Sequence, residues 1–280
     1  MTVNSSRVSD HPDDLLRLAT DIARDAAALI TEGRRRGLSD VTTKSSSTDM
    51  VTEYDRLSEQ LIVERLQQAR PDDGIVGEEG SDRVGTSGID WLVDPIDGTT
   101  NFLYGLAGFA VSIAARNADG GLVGVVAVPS TAELFAARRG GGAFCNGAPI
   151  RCSRTDGLGR ALVATGFSYD PTRRRRQGAR VAVLLDQIRD IRRIGAAAPD
   201  LCYVASGRVD AYFEEFLNPW DLAAGEVIAT EAGCLVSALD GGPVRPGSVL
   251  VANPDVFGPL RDLIARIDAD LDIPSAGPGG

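Results

Sequence analysis

The segment Asp94-Pro95-Ile96-Asp97-Gly98-Thr99-Thr100-Asn101 sets two carboxylates around a proline and follows them with a glycine and two hydroxyls. The chemistry on offer is a hard cation held beside a phosphate. The apolar run before it, with Ile89, Trp91, Leu92 and Val93, has the length and composition of a buried strand, so Asp94 is expected where the strand ends and the chain turns. Pro95 fixes its own φ. A tight turn then brings Asp94 and Asp97 to one side while Ile96 packs inward, which leaves the Ile96 carbonyl as a third oxygen donor. Such donors suit Mg2+, which prefers oxygen ligands and takes only one or two carboxylates per ion. Gly98 lets the backbone approach a phosphate closely. Thr99 and Thr100 add amides and hydroxyls, and exposed amides at a helix start favour an anion.

Other acids fall at similar places. Ile75-Val76-Gly77-Glu78-Glu79-Gly80 is a short apolar segment ending in acid, and pairing it with the Ile89 to Val93 strand would bring Glu78 beside Asp94. Asn218-Pro219-Trp220-Asp221 opens an Ala-rich helical stretch with Asp221 in its first turn. Asp49 stands at the start of a helix expected to run from Asp49 to Ala69, with Met50, Tyr54, Leu57, Leu61 and Leu66 on its apolar face. Taken singly, each of these acids also reads as an ordinary cap or turn residue.

Taken together, in this order, the stretches resemble the inositol monophosphatase family: Gly-Glu-Glu at 77–79, Asp-Pro-Ile-Asp-Gly-Thr-x-Asn-Phe at 94–102, and Trp-Asp-x-Ala-Ala-Gly at 220–225. Lys-Ser-x-x-Thr-Asp at 44–49, Arg-Arg-Ile-Gly at 192–195 and the run Asp200 to Glu214 match as well, so the resemblance spans about residues 12–270. It implies two or three Mg2+ ions. One is held by Glu78, Asp94 and the Ile96 carbonyl, a second by Asp94, Asp97 and Asp221, and a weaker third lies near Glu78. Two cations roughly 4 Å apart can hold both the attacking and the leaving oxygen of an in-line displacement. The resemblance also implies a catalytic set of Glu78, Thr99 and Asp49, in which Thr99 draws a proton from a water and is itself oriented by Asp49. Gly98, Thr99 and Thr100 would hold the phosphate. Glu214, Asp97 and the Gly195-Ala196-Ala197 segment would read the substrate's hydroxyls, and a second water near Asp221, itself on the substrate side, would protonate the leaving alcohol.

The reaction implied is hydrolysis of inositol 1-phosphate or a similar small polyol phosphate, sensitive to lithium. Fructose 1,6-bisphosphate, histidinol phosphate and nucleotide bisphosphates are alternative substrates for the same chemistry. Some bacterial members act as RNA or transcription partners, so contact with nucleic acid or RNA polymerase is a further alternative, and the resemblance implies a homodimer. Two departures stand out. Phe216 occupies a position where related bacterial sequences tend to have glycine, near the mouth of the expected pocket, and Pro199 falls in the first turn of a helix, where proline is tolerated.

The elements that must carry these residues alternate. Helices are expected near 13–33, 49–69, 177–188, 199–206 and 221–231; strands near 75–77, 89–93, 111–115, 122–128, 134–137, 161–165, 191–194 and 211–214. This is an α/β layered pattern, which the resemblance turns into a five-layer αβαβα sandwich of the inositol monophosphatase and sugar phosphatase type. Its phosphatase domain would cover residues 12–271, with halves at about 12–150 and 151–271, between a flexible segment 1–11 and a disordered tail 272–280.

Composition narrows the function classes. The 280 residues are 43% hydrophobic and 24% charged, an ordinary globular balance. With 39 acids against 29 bases the chain carries a net charge of −10, which argues against general nucleic-acid binding and means that a phosphate needs cations to approach an acid-lined cleft. Cys145, Cys152, Cys202 and Cys234 have no paired spacing, and the sole histidine, His11, lies in a polar stretch; zinc, disulfide frameworks and Ser-His or Cys-His catalysis are therefore not expected. The sequence shows no hydrophobic signal region and no run of ~20 apolar residues, so a cytoplasmic location is expected. The dense basic run Arg173-Arg174-Arg175-Arg176 reads as a solvated loop or helix start, with a phosphate, polyanion or partner contact as the alternative.

Overall fold

The computed structural model describes residues 8–36, 42–43, 50–245 and 247–273. Its elements are α1 (Pro12–Arg36), β1 (Thr42–Thr43), β2 (Met50–Val51), α2 (Glu53–Ala69), β3 (Gly74–Gly77), β4 (Asp90–Asp97), α3 (Thr99–Tyr104), β5 (Ala110–Asn117), β6 (Gly120–Val128), β7 (Glu133–Arg138), β8 (Ala143–Cys145) and β9 (Ala148–Ile150). The second half adds β10 (Leu162–Thr165), α4 (Pro171–Leu184), β11 (Asp190–Arg192), α5 (Ala197–Ala205), β12 (Ala211–Glu215), α6 (Pro219–Glu231), β13 (Leu235–Ser237), β14 (Ser248–Ala252) and α7 (Pro254–Asp270).

Seven strands form one sheet in the order β3-β4-β5-β6-β7-β8-β9, and five form another in the order β11-β10-β12-β14-β13. Each face that is apolar must be covered, and the helices divide accordingly. Leu15, Ala19, Ile22, Ala26 and Ile30 of α1, with Ile62 and Leu66 of α2, cover the outer face of the large sheet. Leu201 and Val204 of α5 and Leu222, Val227 and Ile228 of α6 fill the space between the two sheets. Leu184 of α4 and Leu260, Ile264 and Ile267 of α7 close the outer face of the small sheet. The result is the expected five-layer αβαβα sandwich.

Three local departures from the sequence expectation bear on the site. Helix α2 begins at Glu53 rather than Asp49, because the Thr52 hydroxyl accepts the Tyr54 and Asp55 amides while Asp55 Oδ2 accepts the Thr52 amide, at 2.7 Å. This reciprocal cap fixes the start of the helix. Met50 and Val51 form β2 instead, pairing with Thr43 and Thr42, and Leu57 is 44% exposed while Asp55, Ser58 and Glu59 are buried. Strand β4 does not stop at Val93. It continues through Asp97, with a register irregularity between Asp94 (opposite Ser112) and Asp97 (opposite Ala110). Helix α4 starts six residues before the expected position, at Pro171, where the Asp170 carboxylate accepts the Thr172 and Arg173 amides; the basic run is therefore helical.

Strands β8, β9, β13 and β14 and helix α7 were not among the expected elements. Of the expected flexible segment 1–11, residues 8–11 are described, and Val8 and Asp10 are tied to the buried Arg70. Residues 1–7, like 274–280 of the expected tail, lie outside the described residues. No helix among the described residues is long and apolar enough to cross a membrane.

Candidate functional site

Strands β3 and β4 run parallel with Gly77 opposite Val93, and the Glu78 amide donates to the Val93 carbonyl at 3.2 Å. Glu78 thus leaves its strand beside the point where Asp94 leaves the regular part of β4. Consecutive residues of α2 hold both strand ends. Ser58 Oγ donates to the Pro95 carbonyl at 3.1 Å, and the buried Glu59 accepts the Glu79 amide at 2.8 Å and the Ser81 amide at 3.1 Å. A Cβ at Gly77 would lie 2.8 Å from the Glu59 carboxylate, so only glycine permits this approach. Neither Ser58 nor Glu59 is marked by the sequence pattern, since a polar pair on a helix reads as solvent-facing.

After Asp97 the chain turns through Gly98 at φ +85°, a conformation suited to glycine. A Cβ there would sit 2.9 Å from that of Ala196, so Gly195 and Ala196 close over the turn. Asn101, on α3, donates to the Ile194 carbonyl at 2.9 Å and the Gly108 carbonyl at 3.2 Å, which ties the two halves of the chain together at this point. Asp97 Oδ2 accepts the Ala198 amide from α5 at 2.6 Å, and Asp221 Oδ2 accepts the Asn218 amide at the start of α6 at 2.6 Å. Asp94 Oδ1 accepts the Ile96 amide at 3.0 Å.

A cavity of about 400 Å³ results. Glu78, Asp94, Ile96, Asp97, Gly98, Thr99, Gly195, Ala196, Ala197, Glu214 and Asp221, all singled out in the sequence, line it. Thr100 does not, because neighbouring positions on a helix point about 100° apart and only Thr99 faces inward. Asp49 lies outside the described residues. The carboxylate that serves Thr99 here is Asp55, whose Oδ1 lies 3.1 Å from Thr99 Oγ1; the Ile96 carbonyl is also 3.1 Å from that hydroxyl. The Thr52-x-x-Asp55 capping pattern was the available signal for Asp55. Trp220 and Arg193 also line the cavity and Asp200 is buried; all three lie in the matching stretches but were assigned no role there, and of the basic run Arg173 lines the cavity as well. Phe216, at φ +68°, lines the mouth; its left-handed backbone is the physical reason glycine suits this position.

The electrostatics of the cavity floor are those of crowded anions. Burial, then the charges of Glu78, Asp97 and Asp221, hold Asp94 well above the usual carboxylate range. Burial raises Asp97 to about 7, with the Ala198 amide opposing and Glu78 adding to the rise. Burial and the charge of Asp97 raise Asp221 to about 8. Glu214 is lifted to about 7 by burial, against the Tyr212 hydroxyl, which donates to it at 2.6 Å, and against Arg193. Asp200, buried near Glu214 and Asp97, is pushed well up by burial, and its Oδ1 has no partner among the described residues. Among the described residues no basic side chain forms an ion pair with Asp94, Asp97 or Asp221. This donor set, all oxygen and short of positive charge, fits a hard divalent cation. One oxygen each of Asp94, Asp97 and Asp221 accepts a backbone amide, and among the described residues no three acids close on one point as a ready-made cage.

A pH dependence follows. Asp97 and Asp221 ionise near 4 in the unfolded chain and near 7 to 8 in the folded one, so the native state holds more protons between those values and stability falls as pH rises through that window. In EDTA the protein should melt lower at pH 8 than at pH 5.5, by at least about 2–4 °C, the equivalent of ~1 kcal/mol for a chain of this size. Mg2+ should raise Tm more at pH 8, and Asp221→Asn should flatten the decline. A thermal melt series in EDTA that rises with pH would contradict this electrostatic account.

The comparisons with known proteins agree with the fold. An inositol-1-monophosphatase of Mycobacterium leprae is 40% identical over 277 residues, covering 92% of this chain and 95% of its own length. The Nus factor SuhB of Pasteurella multocida is 42% identical over 261 residues, covering 92% and 97%. The crystal structure of the extragenic suppressor protein suhB from Bartonella henselae matches with a TM-score of 0.85 at 34% identity, covering 89% of this chain and 98% of its own. The model of the inositol monophosphatase family matches residues 11–267. The chain therefore belongs to the inositol monophosphatase family.

Proposed function

We propose that this chain is a Mg2+-dependent phosphatase that hydrolyses small polyol phosphate monoesters, with inositol 1-phosphate as the reference substrate. The observation that carries the reading is the meeting, in one cavity, of Asp94, Asp97 and Asp221, whose burial and mutual repulsion raise their pKa values, with the Thr99–Asp55 pair. Glu78, Asp94, Asp97, Asp221 and the Ile96 carbonyl are the residues that would hold the ions. When bound, the ions would neutralise the ester's phosphate and make a water acidic enough for a weak base.

The remaining steps belong to the chain's own side chains. Thr99 Oγ1 passes its hydroxyl proton to Asp55 Oδ1, 3.1 Å away, and accepts the proton of the attacking water, while the departing alkoxide takes its proton from a second water beside Asp221. Gly98 and Thr99 face the phosphate, whose charge stabilisation and alignment dominate phosphoryl transfer. Ser58 and Glu59 keep the two acid-bearing strand ends in place. Ala196, Ala197, Glu214 and Asp221 surround the alcohol, where a carboxylate that accepts hydroxyl hydrogen bonds discriminates between analogues.

A panel of phosphate esters assayed with the purified chain tests the reading: release of phosphate from inositol 1-phosphate in Mg2+, abolished by EDTA, is expected. Failure to hydrolyse any ester would overturn it. A role in transcription, suggested by relatives named Nus factor SuhB, would use Arg174, Arg175 and Arg176, which are exposed on α4. It requires retention on RNA at low salt that a triple glutamine variant loses.

A further inference from the structure

The four cysteines are spread along the chain with no paired spacing, yet the fold gathers two of them. Cys152 follows β9, where the chain crosses from the large sheet to the small one, and Cys234 lies just past the end of α6. The Cys152 amide donates to the Ala232 carbonyl at 3.1 Å, so the two segments lie side by side. A Cβ added at Gly233 would sit 3.9 Å from Cys152 Sγ, which places that sulfur over the residue preceding Cys234. The Cys234 thiol completes the contact by donating a hydrogen bond to the Cys152 sulfur. Both segments are pinned from behind. Ser153 Oγ donates to Asp210 Oδ1 at 2.6 Å and accepts from Asn253 Nδ2 at 2.9 Å, and Arg154 pairs with Asp255 at 2.8 Å. On the other side the Cys234 amide donates to the Ala229 carbonyl at 3.0 Å and the Gly233 amide to the Thr230 carbonyl at 3.0 Å.

Two thiols in contact on adjacent, fixed backbones close to a disulfide by turning about their own side-chain bonds, without the backbone movement that distant cysteines require. Access is asymmetric. Cys152 is half-buried and Cys234 is 6% exposed, so a reagent from solvent meets Cys152 first and Cys234 resolves the adduct from below. The other two thiols are placed differently: Cys202 is fully buried in α5, and Cys145 of β8 donates to Glu133 at 3.8 Å. Burial raises the Cys152 thiol, against the hydrogen bond from Cys234 and the charge of Arg154 and with Asp255 adding to the rise; burial and then Cys152 push the Cys234 thiol well up. Thiolate is therefore scarce at neutral pH, and the exchange quickens as pH rises.

We propose that Cys152 and Cys234 are a disulfide-forming pair which, in the presence of a small-molecule disulfide such as oxidised glutathione, staples the crossover between the two sheets to the end of α6 and stabilises the fold. The Cys152 thiolate attacks the glutathione disulfide and expels one glutathione thiolate; Cys234 Sγ then attacks Cys152 Sγ and expels the second. The protein loses two electrons and two protons, and both arrive on the two glutathione molecules as free thiol. The cross-link closes a loop of about 80 residues, long enough for the loss of unfolded-state entropy to be substantial. This site is separate from the acid-lined cavity and does not depend on the phosphatase reading.

The test incubates the reduced full chain with excess oxidised glutathione at about pH 8.5, where thiolate is more plentiful. The thiols counted after denaturation are expected to fall from four to two, and peptide mapping should find Cys152 joined to Cys234 with no glutathione retained. Tm should rise by at least about 4 °C, and dithiothreitol should reverse both changes. Cys152→Ser should keep its three thiols and gain no Tm, whereas Cys234→Ala, which leaves the entry thiol without its partner, should accumulate glutathione on Cys152. Four thiols left in the oxidised wild type, glutathione remaining on Cys152, a bridge that involves Cys145 or Cys202, or a Tm that stays level or drops would each overturn the proposal. Should either variant fail to fold, the thiol count, the peptide map and the reversible Tm shift of the wild type decide the matter by themselves.

Discussion

Asp94→Asn should lower turnover by on the order of 10³-fold or more while leaving the fold intact. The asparagine keeps an oxygen where Asp94 Oδ1 accepts the Ile96 amide at 3.0 Å, so the turn into Asp97 loses no hydrogen bond. What disappears is a negative charge buried against Glu78, Asp97 and Asp221. Asp94 is among the residues that would hold the ions, so the loss of its charge would weaken their binding. The same substitution relieves like-charge repulsion in the ion-free protein, which gives the experiment a second, opposite sign: in EDTA the variant should melt at the same temperature as the wild type or higher. Mg2+ at a hundred times its Kd stabilises a protein by about 2.7 kcal/mol when it binds only the native state, and most of that gain should be missing from the variant. Wild-type turnover in saturating Mg2+ would remove Asp94 from the mechanism.

Thr99→Ala should cost about 10²- to 10⁴-fold in kcat with little change in KM, the range expected when a general base is removed. Thr99→Ser, which restores the hydroxyl, should recover most of the rate. Asp55→Asn should lower kcat comparably, and it should also destabilise the fold by about 0.5–2 kcal/mol, because Asp55 Oδ2 accepts both the amide and the hydroxyl of Thr52 at the start of α2. Steady-state kinetics and urea unfolding separate the two effects. Asp49→Asn is the informative partner experiment: Asp55→Asn is expected to reduce kcat more. The reverse order would return the orienting role to Asp49 and leave Asp55 as a helix cap.

The difference between Asp49 and Asp55 shows how far sequence reasoning reached. Both acids fall in a stretch where Met50, Tyr54 and Leu61 suggest a helix, and the helical pattern alone extends back to Asp49. The Thr52 hydroxyl resets the start to Glu53, which places Asp55 in the first turn with Oδ2 on the cap and Oδ1 turned toward Thr99 of α3. A similar shift of phase separates Arg173 from its three neighbours. In sequence the four arginines are equivalent, and a charge run reads as a solvated face. Only the anchoring of Gln177, which accepts the Ser168 amide, and of Arg180, paired with Glu215 and Asp268, turns the first of them toward the cavity and leaves the rest in water.

The sequence by itself marked Glu78, Asp94, Asp97, Thr99, Glu214 and Asp221 as candidates, because they fall in stretches that together resemble the inositol monophosphatase family and lie near strand ends and helix starts punctuated by Pro95, Gly98 and Pro219. Backbone geometry of that kind is set by neighbours in the chain. Only the tertiary structure decided which carboxylate reaches Thr99, why Thr100 faces away, how Ser58 and Glu59 hold two strand ends from a helix, and that Arg173 and Arg193 share one cavity. Each of these depends on contacts between residues distant in sequence, and a helix rotated by one residue, about 100°, would have exchanged every one of them.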